Sequence, residues 1–170
     1  MIRKMANVVI KKVEGENEFQ HIIPRLTEIL FSAYQEFPEY GVENEAEAER
    51  YLWWLYRADP DGMFLAYVED EMAGFIASHS QWWDKYIGVF VGEIHEISVD
   101  SAFHGMGIGS RLMKVAEDYF VENKRTVAGL WVGVKNDTAI RFYEKRGYVR
   151  AEVRGPWLRM RKYLGGVTGG

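Results

Sequence analysis

Three glycines at alternate positions, Gly105, Gly107 and Gly109, follow an apolar strand pattern and lead directly into a helical pattern. Because glycine has no Cβ, consecutive backbone N–H groups in such a turn can point toward one centre. The first turn of the following helix adds unpaired N–H donors and the positive end of its dipole. The pattern therefore predicts a cradle for an anion with several phosphate oxygens.

Two better-known glycine loops fit this turn poorly. A phosphate-binding loop of nucleotide triphosphatases ends in Gly-Lys-Ser/Thr, whereas Gly109 is followed by Ser110 and Arg111. A dinucleotide fingerprint has the spacing G-x-G-x-x-G and opens a long series of βαβ units, and too little chain follows here. The glycines favour another nucleotide-containing cofactor. Close packing of a strand against a helix is an alternative explanation for them.

The composition suits one compact domain without a nucleic-acid partner. The 170 residues are 48% hydrophobic, and we place the domain at residues 1–164 with a disordered tail at 165–170. The net charge is -4, from 25 acidic and 21 basic residues, and no long basic run interrupts this balance. Since cysteine is absent, disulfides, thiolate metal sites and a cysteine nucleophile are excluded.

Metal binding and membrane insertion are not expected either. His21, His79, His95 and His104 are scattered without metal-ligand spacing, so we expect no metal. No apolar run approaches the roughly 20 residues that span a bilayer. The start, MIRKMANVVIKK, lacks the apolar stretch and cleavage site of a signal peptide. We therefore expect a cytoplasmic protein with no membrane partner.

Hydrophobic periodicity predicts an α+β fold with a mixed sheet. The predicted order is one strand, two helices, three strands, a helix, a strand, a helix and two strands. The strands are expected at residues 8–13, 63–69, 72–80, 88–99, 127–134, 148–153 and 157–164, and the helices at 17–34, 44–57, 108–120 and 137–146.

Two ordered motifs in the second half of the chain carry a family resemblance. The run His104-Gly105-Met106-Gly107-Ile108-Gly109 matches Gln/Arg-x-x-Gly-x-Gly/Ala, except that histidine replaces the usual glutamine or arginine. The pattern V-x-x-x-N-x-x-A-x-x-x-Y-x-x-x-G-Y/F is matched by Val132, Asn136, Ala139, Tyr143, Gly147 and Tyr148. In these motifs the chain resembles the GNAT family of N-acetyltransferases, which bind acetyl-coenzyme A.

The resemblance implies the fold and the binding residues. It implies a mostly antiparallel central sheet of about seven strands flanked by four helices, with acetyl-coenzyme A as co-substrate. The backbone of Ile97, Ser98 and Val99 is expected to pair with the pantetheine arm. Asn136 is expected to bond the same arm, although it is also a good helix N-cap. The pyrophosphate is assigned to His104, Gly105, Met106, Gly107, Ile108, Gly109 and Ser110.

The resemblance also implies the catalytic groups. Tyr143 occupies the position of the family's tyrosine, whose hydroxyl can protonate the departing thiolate, and a packed surface tyrosine is the alternative. The family often places a glutamate or histidine base on the strand before the glycine turn, which corresponds to Glu93 or His95. We rank Glu93 slightly above His95, with Glu96 third, although charges on a strand can also lack a function.

The expected partner is an amine-bearing acceptor. Aromatic residues and the carboxylates Glu36 and Glu39 lie in the regions that shape the family's acceptor pocket, which suits a cationic amine. The resulting hypothesis is an N-acetyltransferase that acts on a primary amine of a small molecule, peptide or protein. A sensor that binds acetyl-coenzyme A without turnover is the alternative, as is transfer of a longer acyl group. The tryptophans are also compatible with a homodimer contact.

Overall fold

The predicted order of elements is present in the computed structural model, which describes residues 7–165. Residues 166–170 of the predicted tail lie outside this range. The helices are α1 (Glu16–Ala33), α2 (Glu45–Ala58), α3 (Ile108–Glu122) and α4 (Asp137–Glu144). The strands are β1 (Val8–Lys12), β2 (Met63–Val68), β3 (Glu71–Asp84), β4 (Val89–Val99), β5 (Val127–Gly133), β6 (Val149–Arg154) and β7 (Trp157–Tyr163).

The strands form one seven-stranded sheet in the order β1-β2-β3-β4-β5-β7-β6. The pairs β1–β2, β2–β3, β5–β7 and β6–β7 are antiparallel, whereas β4 and β5 are parallel. The register of the parallel pair runs from Gly92 opposite Ala128 to Ile94 opposite Leu130. The predicted α+β class, with a mixed and mostly antiparallel sheet and four helices, is confirmed.

Local sequence signals explain where the first helices begin. Glu16 and Glu18 lie in the first turn of α1, where they interact favourably with the helix dipole. The helix continues through Pro24, so this proline neither starts nor ends it. Asn44 caps α2, because its side chain accepts a hydrogen bond from the backbone N–H of Glu47 at 2.9 Å.

Strand β3 is longer than its apolar pattern predicts. It continues past Ser80 to Asp84, because Trp82 and Trp83 also favour extended backbone. The turn that follows includes Gly88 with φ +67°, a conformation that glycine adopts without strain.

The chain divides into two compact units, each with its own packing. The first unit joins the segment up to Ala77 with Glu96–Val115. Phe19 stacks on Tyr56 in its core, with ring centroids 4.4 Å apart. The large side chains of this core that are fully buried come from α1, α2, β2 and β3: Phe19, Leu26, Ile29, Leu30, Leu52, Leu55, Met63, Leu65 and Phe75.

The second unit joins Ser78–His95 with the segment from Ala116 onward. Gly92 lies against the ring of Phe120, where an added Cβ would overlap the ring carbons. Tyr148 donates a hydrogen bond from its hydroxyl to Glu117 at 3.0 Å. Lys162 forms an ion pair with the other oxygen of Glu117 at 2.7 Å, so β7 is tied to α3. Among residues 7–165, no helix has the length and apolar character needed to cross a bilayer.

Candidate active site

The glycine turn has the geometry that an anion cradle requires. Gly105 has φ +81° and Gly107 has φ +74°, a backbone conformation that side chains with a Cβ rarely adopt. A Cβ added at either glycine would meet no atom within 4 Å, so both face open space. Helix α3 begins at Ile108, and the carbonyl of Gly107 accepts its first bond, from the N–H of Arg111 at 3.2 Å. The N–H groups of residues 108–110 precede that bond and have no partner within the helix.

The segment that enters the turn is fixed by hydrogen bonds. Asp100 accepts the N–H of Ala102 at 3.0 Å, and Arg25 pairs with its other oxygen at 3.0 Å. The hydrogen bond from Ala102 is the main reason why the pKa of Asp100 lies below its ordinary value. Nε2 of His104 donates to the carbonyl of Val99 at 3.2 Å. This histidine therefore braces the turn against the end of β4.

The residues assigned to the pantetheine arm differ in burial. Ser98 is buried, whereas Ile97 and Val99 are half-buried. The carbonyl of Ser98 passes so close to Gly74 that a Cβ there would lie 2.8 Å from it. Asn136 accepts the N–H of Ala139 at 3.2 Å, so it does cap α4. Its contact with the pantetheine arm stays a prediction.

Glu93 lies in a buried network of charges in the second unit. Arg159 donates from Nη1 to Glu93 at 2.6 Å and from Nη2 to Asp84 at 2.9 Å. Arg161 donates to both oxygens of Asp84, at 2.8 and 3.1 Å, and pairs with Glu152. Burial raises the pKa of Glu93 above its ordinary value, and the hydrogen bond from Arg159 opposes this shift. Oε1 of Glu93 is buried without a hydrogen-bond partner among residues 7–165.

The two arginines of this network were absent from the sequence prediction. Arg159 and Arg161 alternate with Leu158 and Met160 in β7, so period-two alternation indicates that the arginines share one face. That alternation is the sequence signal from which the two arginines could have been found. It does not reveal their partner Asp84, which is 75 positions from Arg159 in the sequence.

His95 and Tyr143 are each surrounded by aromatic rings. The ring of His95 is half-buried, and it lies 4.7 Å from Trp82 and 5.7 Å from His79, centroid to centroid. Tyr143 is 9% exposed on α4 and packs edgewise against Phe142 and Tyr148, at 5.3 and 6.0 Å. Tyrosine can keep its ring in such a packed setting while its hydroxyl reaches a polar partner.

Glu96, the third candidate base, has neutral partners. Tyr34, Tyr51 and Ser98 donate hydrogen bonds to its carboxylate. Burial raises the pKa of Glu96, and these hydrogen bonds oppose the shift. Within the described part of the chain, no group of three or more His, Cys, Asp or Glu is arranged to hold a metal ion.

Comparison with known proteins identifies the family. Residues 23–148 match the model described as the acetyltransferase (GNAT) family. The chain belongs to the GNAT family. It is 40% identical over 156 residues to an uncharacterized N-acetyltransferase of Methanocaldococcus jannaschii, which covers 92% of this chain and 69% of that protein. The family resemblance read from the two motifs is thus confirmed, and the chain is a GNAT acyltransferase.

Solved structures support the same fold. A crystal structure of a protein from Pyrococcus horikoshii superposes with a TM-score of 0.84 at 35% identity, covering 92% of this chain and 98% of that one. The PaiA N-acetyltransferase of Thermoplasma acidophilum, crystallised in complex with coenzyme A, gives a TM-score of 0.67 at 16% identity. The superposition covers 92% of this GNAT chain and 99% of the PaiA chain. At that identity the likeness concerns the fold alone.

The ion pairs of Asp84 predict acid sensitivity. Burial alone would raise the pKa of Asp84, but hydrogen bonds from Arg161 and Arg159 hold it at about 2, below the ordinary 3.8. Since the pKa is lower in the folded chain, the carboxylate stabilises the fold above about pH 4. This stabilisation, about 2 kcal/mol, is lost as the pH falls from about 4 to about 2.

We therefore expect the difference in unfolding free energy between wild type and Asp84→Asn to shrink by about 2 kcal/mol between pH 7 and pH 2. Urea denaturation at both pH values measures it. Asp70→Asn, at an exposed turn position, should show a difference that changes by less than about 0.5 kcal/mol. A constant difference for Asp84→Asn would contradict the assigned ion pairs.

Proposed function

We propose that the chain transfers the acetyl group of acetyl-coenzyme A to a primary amine by direct attack in a ternary complex. The observation that carries this proposal is the glycine turn before α3. Its two left-handed glycines face open space, and the first N–H groups of the helix follow at once. An array of backbone donors at a helix N-terminus suits a pyrophosphate. Membership of the GNAT family supports acetyl-coenzyme A as the source of that pyrophosphate.

The binding roles follow from this assignment. The backbone of residues 104–110 holds the pyrophosphate, and Ile97, Ser98 and Val99 pair through their main chain with the pantetheine arm. Asn136 adds a side-chain contact to that arm while it caps α4. Acetyl-coenzyme A supplies an acetyl thioester, which reacts with an amine once that amine is neutral and the departing sulfur can be protonated.

The transfer requires two proton movements. The amine nitrogen attacks the carbonyl carbon, a C–N bond forms, and the C–S bond breaks. Tyr143 donates its hydroxyl proton to the departing thiolate. A base removes a proton from the amine. Glu93 is the first candidate, because burial raises the pKa of its carboxyl group toward the pKa of the acceptor's ammonium group. His95 is the second candidate, since imidazole titrates near neutral pH.

The cradle predicts a specific effect of Gly107→Ala. Alanine at φ +74° is strained, and the methyl group enters the space assigned to the pyrophosphate. We expect the dissociation constant of coenzyme A to rise at least about tenfold, with a correspondingly smaller thermal stabilisation by the ligand. Gly155→Ala is the matched control, because Gly155 also has a positive φ, +56°, and open surroundings in the turn between β6 and β7. Equal weakening in both variants would contradict the cradle.

Tyr143→Phe tests the acid. Loss of a general acid should lower kcat about 10²-fold, while the affinity for acetyl-coenzyme A stays nearly constant because the ring is kept. Free-thiol release from acetyl-coenzyme A with small amines, polyamines, amino acids and peptides measures turnover. Tyr163→Phe, at a position 69% exposed on β7, is the control. Normal kcat in Tyr143→Phe would remove this residue from the mechanism, and wild-type protein that binds acetyl-coenzyme A without releasing thiol would contradict the transferase.

The base is tested by the pH dependence of kcat/KM. Activity should rise with pH as the base loses its proton, and Glu93→Gln should lose this rise together with about 10²-fold in rate. Glu152→Gln alters another carboxylate of the same arginine network. This variant should keep both the rise of activity with pH and the wild-type rate. If His95→Gln loses the rise and Glu93→Gln keeps it, the base is His95. An unchanged profile in both variants would exclude both residues.

A further inference from the structure

Glu96 is the centre of a hydrogen-bonded cluster in the first unit that the proposed mechanism does not use. The hydroxyl of Tyr34 donates to Oε2 at 2.7 Å, and that of Tyr51 donates to Oε1 at 2.9 Å. Ser98 donates to Oε2 at 3.1 Å. We call these four residues the Glu96 cluster. Burial has the largest effect and raises the pKa of Glu96, and the three donors around its two oxygens oppose this shift because they favour the carboxylate anion.

The hydrogen-bond directions define what the tyrosines can recognise. A phenol has one proton, and both tyrosines give theirs to Glu96. Toward any further polar partner, each oxygen can therefore act only as an acceptor. Glu96 itself is 6% exposed, whereas the two tyrosines are half-buried. A ligand that meets this cluster must meet the tyrosines, and it must bring N–H donors.

The aromatic surroundings favour a positive charge on that ligand. The ring of Tyr51 stacks with that of Trp54, nearly parallel at 11° and 6.4 Å apart. Trp54 is 49% exposed. The faces of such rings attract ammonium and guanidinium groups. The carboxylate form of Glu96, which the three hydrogen bonds favour, adds to this attraction from behind the tyrosines, because a partly desolvated charge is screened less than a surface one.

The chain around Tyr34 is rich in negatively charged residues. Residues 26–49 contain seven glutamates and no lysine, arginine or aspartate. Tyr34 lies within this segment, and six of the seven glutamates follow it. Those six are exposed or half-buried. A stretch of one charge sign raises the local concentration of ligands of the opposite sign.

Ser98 connects the cluster to the proposed reaction. Its hydroxyl belongs to the Glu96 cluster, and its backbone belongs to the segment assigned to the pantetheine arm. A cation held by the tyrosines would thus lie beside the arm that carries the acetyl group. The tyrosines suit a second charge on the acceptor rather than the reacting amine, because the reacting amine must lose its charge before attack.

We propose that Tyr34 and Tyr51, backed by Glu96, bind a second cationic nitrogen of the acceptor. The acceptor is then a primary amine that carries a further positive charge, either a diamine or a peptide with a basic side chain near its N-terminus. This inference rests on the proposed N-acetyltransferase function and adds the substrate class to it.

Matched acceptors test the second charge. One pair is putrescine and n-butylamine, and the other is a tripeptide amide with lysine or norleucine after an N-terminal alanine. In at least one pair, the member with the extra charge should have a kcat/KM at least about tenfold higher than its partner. Putrescine has two equivalent amines, so a factor of about two in its favour is expected without any second-charge site and is divided out first. Which pair shows the preference distinguishes a small diamine from a peptide.

Tyr51→Phe tests the assigned contact. The variant keeps the ring and removes the acceptor oxygen, so KM for the doubly charged acceptor should rise about tenfold while kcat/KM for its singly charged partner stays within about twofold. Tyr56→Phe is the control, because Tyr56 is buried in the same helix and stacks on Phe19. If Tyr51→Phe does not fold, Glu36→Gln combined with Glu39→Gln, both at exposed positions, should reduce the same preference.

Two outcomes separate this inference from the proposed function. Equal kcat/KM within both pairs, with thiol release intact, would overturn the second-charge site and leave the transferase. If no amine gives thiol release, the transferase proposal fails, and calorimetry decides the site. In at least one of the two pairs, the member with the extra charge should then bind wild type at least about tenfold more tightly than its partner does, and Tyr51→Phe should lose this difference. Equal binding within both pairs would overturn the site.

Discussion

The guanidinium of Arg159 is the constraint that organises the second unit. It is buried, and a buried cation is tolerated only when carboxylates and hydrogen bonds compensate for its lost hydration. Glu93 on β4 and Asp84 at the end of β3 provide that compensation. Removing one partner of such a pair typically costs about 3–5 kcal/mol, since the other charge stays buried. The three strands are therefore held in one arrangement by a single side chain of β7.

This constraint reaches the backbone of β5 as well. An added Cβ at Gly129 would overlap the guanidinium of Arg159, so only glycine leaves room for it. Trp131, two positions further on the same strand, places its ring 5.4 Å from that guanidinium. The parallel pairing sets Gly129 opposite Glu93. One buried cation thus explains a glycine, an aromatic residue and a carboxylate that look unrelated in the sequence.

The sequence predicted what depends on local chemistry. The order of elements, the glycine turn before α3 and the Asn136 cap each depend on neighbouring residues, so periodicity and spacing were sufficient. The extension of β3 to Asp84 was missed, because the apolar pattern ends before the strand does. The partners of Glu93 and Glu96 were also missed. They come from distant parts of the chain, and no local pattern pairs Glu93 with Arg159 or Glu96 with Tyr34.

The two glutamates of β4 show how surroundings separate similar side chains. Both are buried and burial raises the pKa of both, yet Glu93 faces a permanent cation and Glu96 faces three neutral hydroxyls. A guanidinium cannot give up its proton, so it fixes the position of Glu93 and neutralises its charge. Neutral hydroxyl donors do not cancel the charge of a carboxylate at Glu96, and they polarise toward it, so their oxygens become better acceptors for a positive ligand. The first arrangement suits a group that must stay in one geometry, and the second suits recognition of a positive ligand.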